Sequence, residues 1–294
     1  DAPQGIWNSA TKILSYSVGT SFFIDPTTIT TTTTNGAFSY GFQRATCYLN
    51  GRWVASFSDG TNLLQSSATN AAFTTGVVSN TIRASSVGQS TGEWCDTANN
   101  KWGYVYAPNS ANLFVGTYAF NSDGTLTADF AEVDIAGQLP AGHNNGVKYP
   151  SIYFSGTTDL WVTTGIAVSG ANAWVDVMYC SATCGTATNW SNKRSYDTGQ
   201  SPNDWSGLIT PLSTAAKKSL IMGRTGGSAA LQIQTTEDTG GTWSTLRATT
   251  SSYNLNTASA VSLSDTTHVC GTVSSNPTYF SFGLAPTGAP TETT

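Results

Sequence analysis

Short apolar runs recur at a nearly constant interval along the chain, and this interval limits what the chain can fold into. Trp53, Trp102, Trp161, Leu220 and Val269 each lie in a run typical of a β-strand, and successive members are 49, 59, 59 and 49 residues apart. Most of these runs follow a polar turn rich in Gly, Asn or Asp, residues that tolerate tight hairpin geometry. An interval of about 50 to 60 residues is too long for a helical solenoid repeat and is typical of one four-stranded propeller blade with extended loops.

The composition favours an all-β chain with a large core. Hydrophobic residues make up 39% of the sequence and charged residues only 10%, against about 25% in an average soluble domain. Threonine is abundant, and its branched Cβ suits a strand. Because no segment of about 12 residues keeps a helical period, we predict an all-β fold. A β-propeller is favoured, and a β-sandwich is the alternative.

The charge balance excludes several classes of function. The net charge is −5 and Lys and Arg together number 12, so the chain lacks the basic stripe that a nucleic-acid-binding protein needs. No apolar run approaches the roughly 18 residues of a membrane-spanning helix. The first residues, 1–3, fit a mature end left by processing, which favours an extracellular location.

The five cysteines predict a partly disulfide-bonded, secreted protein. Cys180 and Cys184 are separated by three residues and can clamp a tight turn. Cys47 and Cys95 stand six and seven residues before Trp53 and Trp102, so they can pair between successive repeats. Cys270 would then be unpaired; five isolated buried thiols are the alternative. With only two histidines and no second Cys or His pair near Cys180, we expect neither a metal nor a cofactor.

A second repeated feature is a polar turn with Gly followed by Thr or an aromatic residue, at 17–20, 58–61, 122–125 and 236–243. In the last of these, Thr236, Asp238, Gly240, Thr242 and Trp243 match every fixed position of the Asp-box. The segment therefore resembles the bacterial neuraminidase repeat, found in sialidases and in many other propellers. The resemblance implies a turn between the outer two strands of a blade, away from the ligand face. It also implies a structural role for Asp238, as acceptor of turn amides, and a place for Trp243 between sheets.

The order of the repeats predicts how the chain is divided. We expect one propeller domain over 1–284 and a Pro- and Thr-rich tail or linker over 285–294. Five blades are favoured, with strands from the N- and C-terminal parts sharing one blade and closing the ring, which hides two sheet edges. Six blades are possible if the two ends form separate blades.

Catalytic motifs are sparse. The Phe/Tyr-Arg-Ile-Pro motif of sialidases is missing, and Ile82-Arg83-Ala84 is the nearest segment. A glycosidase needs two carboxylates flanking the bond; the densest acidic segment holds Asp129, Glu132 and Asp134, which we interpret as a solvated strand edge. Neither His143 nor His268 belongs to a nucleophile motif. We therefore predict no catalytic residues and favour binding over catalysis.

The aromatic residues point instead to carbohydrate. The chain has 9 Trp, 12 Tyr and 12 Phe, and exposed aromatic faces stack on sugars while neighbouring polar groups bind the hydroxyls. Trp94 and Trp205 have polar neighbours typical of loops, so they are the predicted ligand contacts. Asn189 begins an Asn-x-Ser sequon and is the candidate glycosylation site.

These features together predict a lectin-like or adhesive domain at a cell or virion surface. Its expected partners are glycans or other surface glycoproteins, with self-association possible. The first alternative is a structural subunit of a surface filament, appendage or viral spike, and the second is a glycoside hydrolase.

Overall fold

The structure is a computed structural model of the 294-residue chain. It describes residues 4–8, 13–17, 46–58, 61–84, 91–167, 172–199, 205–213, 217–225, 227–236, 242–255, 258–274, 276–284 and 288–293.

Twenty of the described strands form five antiparallel sheets of four strands each, which we number as blades in chain order. The first blade contains β3 (Thr46–Leu49), β4 (Arg52–Ser58), β5 (Leu63–Ala68) and β6 (Val78–Arg83). The second contains β7 (Thr91–Asp96), β8 (Lys101–Tyr106), β9 (Phe114–Phe120) and β10 (Leu126–Ala128), and the short β11 (Val133–Asp134) also pairs with β9. The third contains β12 (Val147–Ser155), β13 (Asp159–Ala167), β14 (Ala173–Cys180) and β15 (Ser191–Asp197). The fourth contains β16 (Trp205–Pro211), β17 (Lys218–Arg224), β18 (Ala229–Thr236) and β19 (Arg247–Tyr253). The fifth contains β20 (Ser259–Leu263), β21 (Thr266–Val273), β22 (Asn276–Phe282) and β23 (Glu292–Thr293). Near the N-terminus, β1 (Gln4–Asn8) and β2 (Ile13–Ser17) pair with each other.

Every blade is a meander in which sequence neighbours are also spatial neighbours. The first strands of successive blades contact one another, β3 with β7, β7 with β12, β12 with β16 and β16 with β20. This succession of five four-stranded sheets, each packed on the next through its innermost strand, is a β-propeller. The predicted fold class is confirmed, and the five described blades are consistent with the favoured blade number.

Close packing between blades explains why small residues interrupt the strands. In the second blade, Trp102 and Tyr104 are fully buried on the face turned to the first blade. Gly103 lies on the opposite face, where an added Cβ would stand 2.6 Å from the ring of Phe154 in the third blade. Since real Cβ atoms do not approach so closely, a glycine is required for the second and third blades to meet.

Two disulfides form as the sequence predicts. Cys47 and Cys95 join the innermost strands of the first and second blades, with Cα atoms 6.4 Å apart. Cys180 and Cys184 close the turn after β14, with Cα atoms 5.8 Å apart and an S–S distance of 2.10 Å. Cys270 is unpaired and exposed.

The two ends of the chain depart from the predicted arrangement. The described strands of the fifth blade all come from the C-terminal part, and β1 and β2 pair only with each other, so the expected sharing of one blade between the ends is wrong for them. The fourth strand of the fifth blade comes instead from residues that were predicted to form a tail. Glu292 lies in β23 opposite Phe280, and its carboxylate accepts hydrogen bonds from the amides of Thr250 and Ser251 and from the Tyr253 hydroxyl.

The turns between third and fourth strands are held by side chains. Asp123 Oδ1 accepts the Thr125 amide at 2.9 Å and its hydroxyl at 2.7 Å, and these bonds lower the pKa of Asp123. Asn70 plays the same part in the first blade, where its Oδ1 accepts the amides of Thr74 and Thr75. Turns often satisfy their backbone amides in this way, with an acceptor side chain two to five residues before the amide that it bonds.

The Asp-box-like segment occupies the corresponding turn of the fourth blade. Thr236 Oγ1 donates to the Thr242 carbonyl at 2.9 Å, and Thr236 and Trp243 form an isolated bridge. The Trp243 indole donates to the Lys193 carbonyl of the third blade at 3.2 Å. Asp238 and Gly240 lie outside the described residues, so their roles stay predictions.

One predicted copy of this turn is misplaced. The segment 58–61 connects the second strand of the first blade to the third, because β4 ends at Ser58 and β5 begins at Leu63. It therefore lies at the opposite end of the blade from the turn that Asn70 holds. A short Asp-Gly pattern indicates a reversal of the chain and does not distinguish the two ends of a blade.

Candidate functional site

A polar cluster lies at the end of the third blade where β12 and β14 begin and β15 ends. We call it the His143 cluster, and its members are His143, Trp174, Asp176, Asn192 and Ser195. His143 comes from a short 3₁₀ turn in the connection from the second blade, four residues before β12 begins. Trp174 and Asp176 are two residues apart on β14, so they project from the same face of the strand.

Hydrogen bonds fix the cluster around a buried carboxylate. The side chain of Asp176 is 0% exposed, and its Oδ2 lies 2.7 Å from His143 Nδ1. Ser195 Oγ donates to the other carboxylate oxygen at 2.6 Å. Burial raises the pKa of Asp176, while the hydrogen bonds from Ser195 and His143 oppose that shift. The contact at Nδ1 orients the imidazole and directs Nε2 away from the carboxylate.

This arrangement does not form a nucleophile triad. In such a triad the hydroxyl bonds the imidazole and the carboxylate bonds the opposite ring nitrogen. Here Ser195 bonds Asp176 directly and Asp176 stands between Ser195 and His143. The Ser195 hydroxyl therefore donates to a carboxylate and not to the imidazole that activates the nucleophile of such a triad.

Trp174 supplies an apolar surface beside these polar groups. Its indole is half-buried and lies 4.9 Å from the His143 ring, centroid to centroid. The indole also packs against the core between the second and third blades, so only part of it reaches solvent. Asp197 is exposed and lies opposite Trp174 in the sheet, and its Oδ2 accepts a hydrogen bond from the side-chain amide of the half-buried Asn172 at 3.1 Å. A partly exposed aromatic ring near an amide and a carboxylate is a combination of groups that binds a sugar ring and its hydroxyls.

The two tryptophans predicted to contact ligand are placed differently. Trp94 is half-buried on β7, edge-on to Tyr153 with the ring centroids 5.0 Å apart, and it stays a candidate. Trp205 is only 4% exposed and packs in the core shared by the third and fourth blades. Its predicted exposure is wrong because β16 begins at Trp205, although polar residues precede it.

The acidic segment 129–134 contributes no pair of free carboxylates. Asp129 bonds the Lys101 ammonium at 2.5 Å. Glu132 bonds Arg83 at 2.6 Å and accepts the Tyr104 hydroxyl. Asp134 accepts hydrogen bonds from the backbone amides of Leu113 and Ala136. Each carboxylate thus stabilises a separate contact, which differs from the solvated strand edge that the sequence indicates.

A second buried carboxyl group lies between the first and second blades. Glu93 is 3% exposed, and its Oε2 accepts hydrogen bonds from Ser56 and from the Trp102 indole. Burial raises the pKa of Glu93 to about 7, against the lowering effect of these two donors. Perturbed carboxyl groups concentrate at functional sites, but Trp102 is itself fully buried and closes this one off from solvent.

The remaining predicted features are placed as follows. Asn189 is exposed, and its side-chain amide donates to the Thr183 carbonyl at 3.1 Å; its glycosylation stays a prediction. Among the described residues, no group of three or more His, Cys, Asp or Glu side chains is arranged to hold a metal ion. Those residues also include no helix long and apolar enough to cross a membrane.

The His143 cluster was missed by sequence reasoning for a physical reason. His143 and Asp176 are 33 residues apart, the first in the connection before β12 and the second on β14, so no local pattern joins them. One signal was available: Trp174 and Asp176 alternate on a strand, and an acidic residue on the same strand face as a tryptophan is unusual for a blade core.

Comparisons with known proteins give fold similarity without a family. No protein-family model and no curated protein sequence matches the chain. A crystal structure of the polysaccharide lyase Uly1 matches with a TM-score of 0.50 and 11% identity, over 88% of this chain and 73% of the lyase. The catalytic domain of a Coprinopsis cinerea GH62 α-L-arabinofuranosidase (TM-score 0.46, 14% identity, 86% and 87% coverage) and a fucose-specific lectin from Aleuria aurantia (0.44, 14%, 82% and 76%) are more distant. At these identities the similarity concerns the fold alone, so the function has to be argued from this chain's own side chains.

Proposed function

We propose that this protein is an extracellular carbohydrate-binding propeller, and that Trp174 is the surface on which a sugar ring stacks. The observation that carries the proposal is the half-buried indole of Trp174, which contacts the His143 ring and lies opposite Asp197 in the sheet, where Asp197 accepts a hydrogen bond from Asn172. The indole face would contact the C–H groups of the sugar, and the amide and carboxylate would bind its hydroxyls. The two disulfides are compatible with the oxidising environment outside the cell.

The described carboxyl groups favour binding over hydrolysis. A glycosidase requires an acid of raised pKa and a second carboxylate, both reaching the bond that is cleaved. Two described carboxyl groups have a raised pKa, those of Glu93 and Asp176. Glu93 lies behind Trp102, and Asp176 lies behind His143 and Ser195, so neither is presented to a substrate.

A glycan array combined with size-exclusion chromatography tests the proposal. We expect the wild-type protein to elute as a defined species and to bind a subset of glycans. Trp174→Ala should lose that binding, and Trp94→Ala shows whether the second half-buried tryptophan takes part. Trp53→Ala is the matched control, because Trp53 is 41% exposed but lies at the opposite end of its blade.

Two results would contradict the proposal. One is a folded protein that binds no glycan and polymerises, which indicates a structural subunit. The other is release of reducing sugar from an array ligand, which indicates a glycoside hydrolase.

A further inference from the structure

One face of the fifth blade is left uncovered. Along β20 to β22 the side chains alternate, and one set, including Val269 and Phe280, is buried against the fourth blade. On the opposite face Val261 is 64% exposed, Leu263 70% and Tyr279 40%. We call the face that carries these three residues the open face of the fifth blade. Large apolar residues at such exposure, grouped on one sheet face, mark a surface that packs against something further.

The first blade shows a matching face. Cys47 and Val54 point toward the second blade. On the other face Tyr48 is 52% exposed and Trp53 41%, and their rings lie 5.2 Å apart, edge to face. This aromatic pair is the first-blade counterpart of the open face of the fifth blade.

These two faces would meet if the ring closed by direct contact between the fifth and first blades. Such contact would bury the facing side chains, as it does between the second and third blades, where Ile152 and Phe154 are 0% exposed. Leu263 and Tyr48 instead remain more than half exposed. Both faces are therefore left uncovered and are available for contact with a further unit.

The chain itself has a segment of the required size. The five blades span between 35 residues (Ser259–Thr293) and 51 residues (Val147–Asp197), and 45 residues precede the first blade. That N-terminal segment contains β1 and β2, an antiparallel hairpin that no described strand extends. Two five-residue strands joined by a short connection resemble the first hairpin of each blade.

We propose that the N-terminal segment carrying the β1–β2 hairpin docks between the first and fifth blades, in the position of a sixth blade. The hairpin would cover Val261, Leu263 and Tyr279 on one side and Tyr48 and Trp53 on the other. This proposal is independent of the carbohydrate-binding proposal, since the His143 cluster lies in the third blade.

The unpaired Cys270 allows a direct test of proximity in the unmodified sequence. Cys270 lies opposite Tyr279 in the sheet, and its exposed thiol is therefore on the open face of the fifth blade. A maleimide–benzophenone reagent attached to Cys270 would be activated by light, and the crosslinked peptides would be identified by mass spectrometry. We expect crosslinks within residues 4–17 of the same chain. Crosslinks only to a second copy, or none to 4–17, would overturn the proposal.

A charge placed on the face provides the second test. Val261→Asp should weaken docking and speed tryptic cleavage after Lys12, between β1 and β2, at least fivefold. Val77→Asp is the matched control, because Val77 is 48% exposed but lies in the turn before β6, off the open face. Equal cleavage rates in wild type and both variants would contradict the proposal, as would a shift from dimer to monomer in Val261→Asp without faster cleavage.

Discussion

At the scale of single residues, burial decides what the acidic side chains do. Glu93 is enclosed by the first and second blades, with Ser56 and Trp102 as donors to one oxygen only. Its other oxygen, Oε1, accepts no hydrogen bond from any described group. Because a buried, half-satisfied carboxylate is poorly solvated, the neutral form is favoured and the pKa rises to about 7.

This shift predicts how Glu93 affects stability with pH. The unfolded-state pKa is near 4.5 and the folded-state value is about 7, so the folded state binds the proton more tightly. The stability contributed by protonated Glu93 is complete below pH 4.5 and is lost as pH rises to 7, by about 3 kcal/mol in all. Glu93→Gln should remove this dependence. Denaturant unfolding of both proteins between pH 4 and 8 measures it, and parallel curves for the two proteins would refute the assignment.

At the scale of elements, the turn between the third and fourth strands is restrained by different groups in different blades. Asn70 and Asp123 accept turn amides in the first and second blades. In the third blade, Cys180 and Cys184 restrain the turn by a covalent bond. The sequence allowed the disulfide to be anticipated because only three residues separate Cys180 from Cys184. It did not identify Asn70, since an isolated Asn before a Thr-rich stretch carries no distinctive pattern.

The turn of the fourth blade yields a graded prediction. Asp238→Ala should lower the free energy of unfolding by about 1–3 kcal/mol, because turn amides lose their acceptor. Asp238→Asn should recover most of that loss, as an Asn oxygen already serves in the first blade. Thermal and denaturant unfolding measure both variants. A ligand bound directly to Asp238, or an Asn variant as unstable as the Ala variant, would contradict the structural role.

The two disulfides should differ in what they contribute. The Cys180–Cys184 pair spans a sequence separation of 4 and the Cys47–Cys95 pair one of 48. In the chain-entropy description, removing them costs about 2 and about 4 kcal/mol respectively. The double variants Cys180→Ala/Cys184→Ala and Cys47→Ala/Cys95→Ala, compared by urea unfolding with Cys270→Ala as the control, give the ranking. An equal or reversed ranking would show that native-state contacts outweigh loop closure.

At the scale of the whole molecule, periodicity revealed more than any motif. The second strands of successive blades each hold one of the repeated apolar residues, which is why their spacing matched the length of one blade: Trp53, Trp102, Trp161, Leu220 and Val269. The long-range contacts were not accessible in this way. His143 meets Asp176 only because the connection between two blades folds back over the third, and Trp205 is buried only because the third and fourth blades close on it. Such contacts depend on how blades pack, and a single sequence does not encode them in any local pattern.

The most direct test of the account is a calorimetric titration with the oligosaccharide that binds most strongly on the array. We expect Trp174→Ala to bind it at least tenfold more weakly than wild type, which corresponds to about 1.4 kcal/mol. Trp174→Phe should retain part of the affinity because it keeps an aromatic face, and Trp53→Ala should bind as wild type does. Unchanged affinity in a folded Trp174→Ala protein would contradict the proposed site.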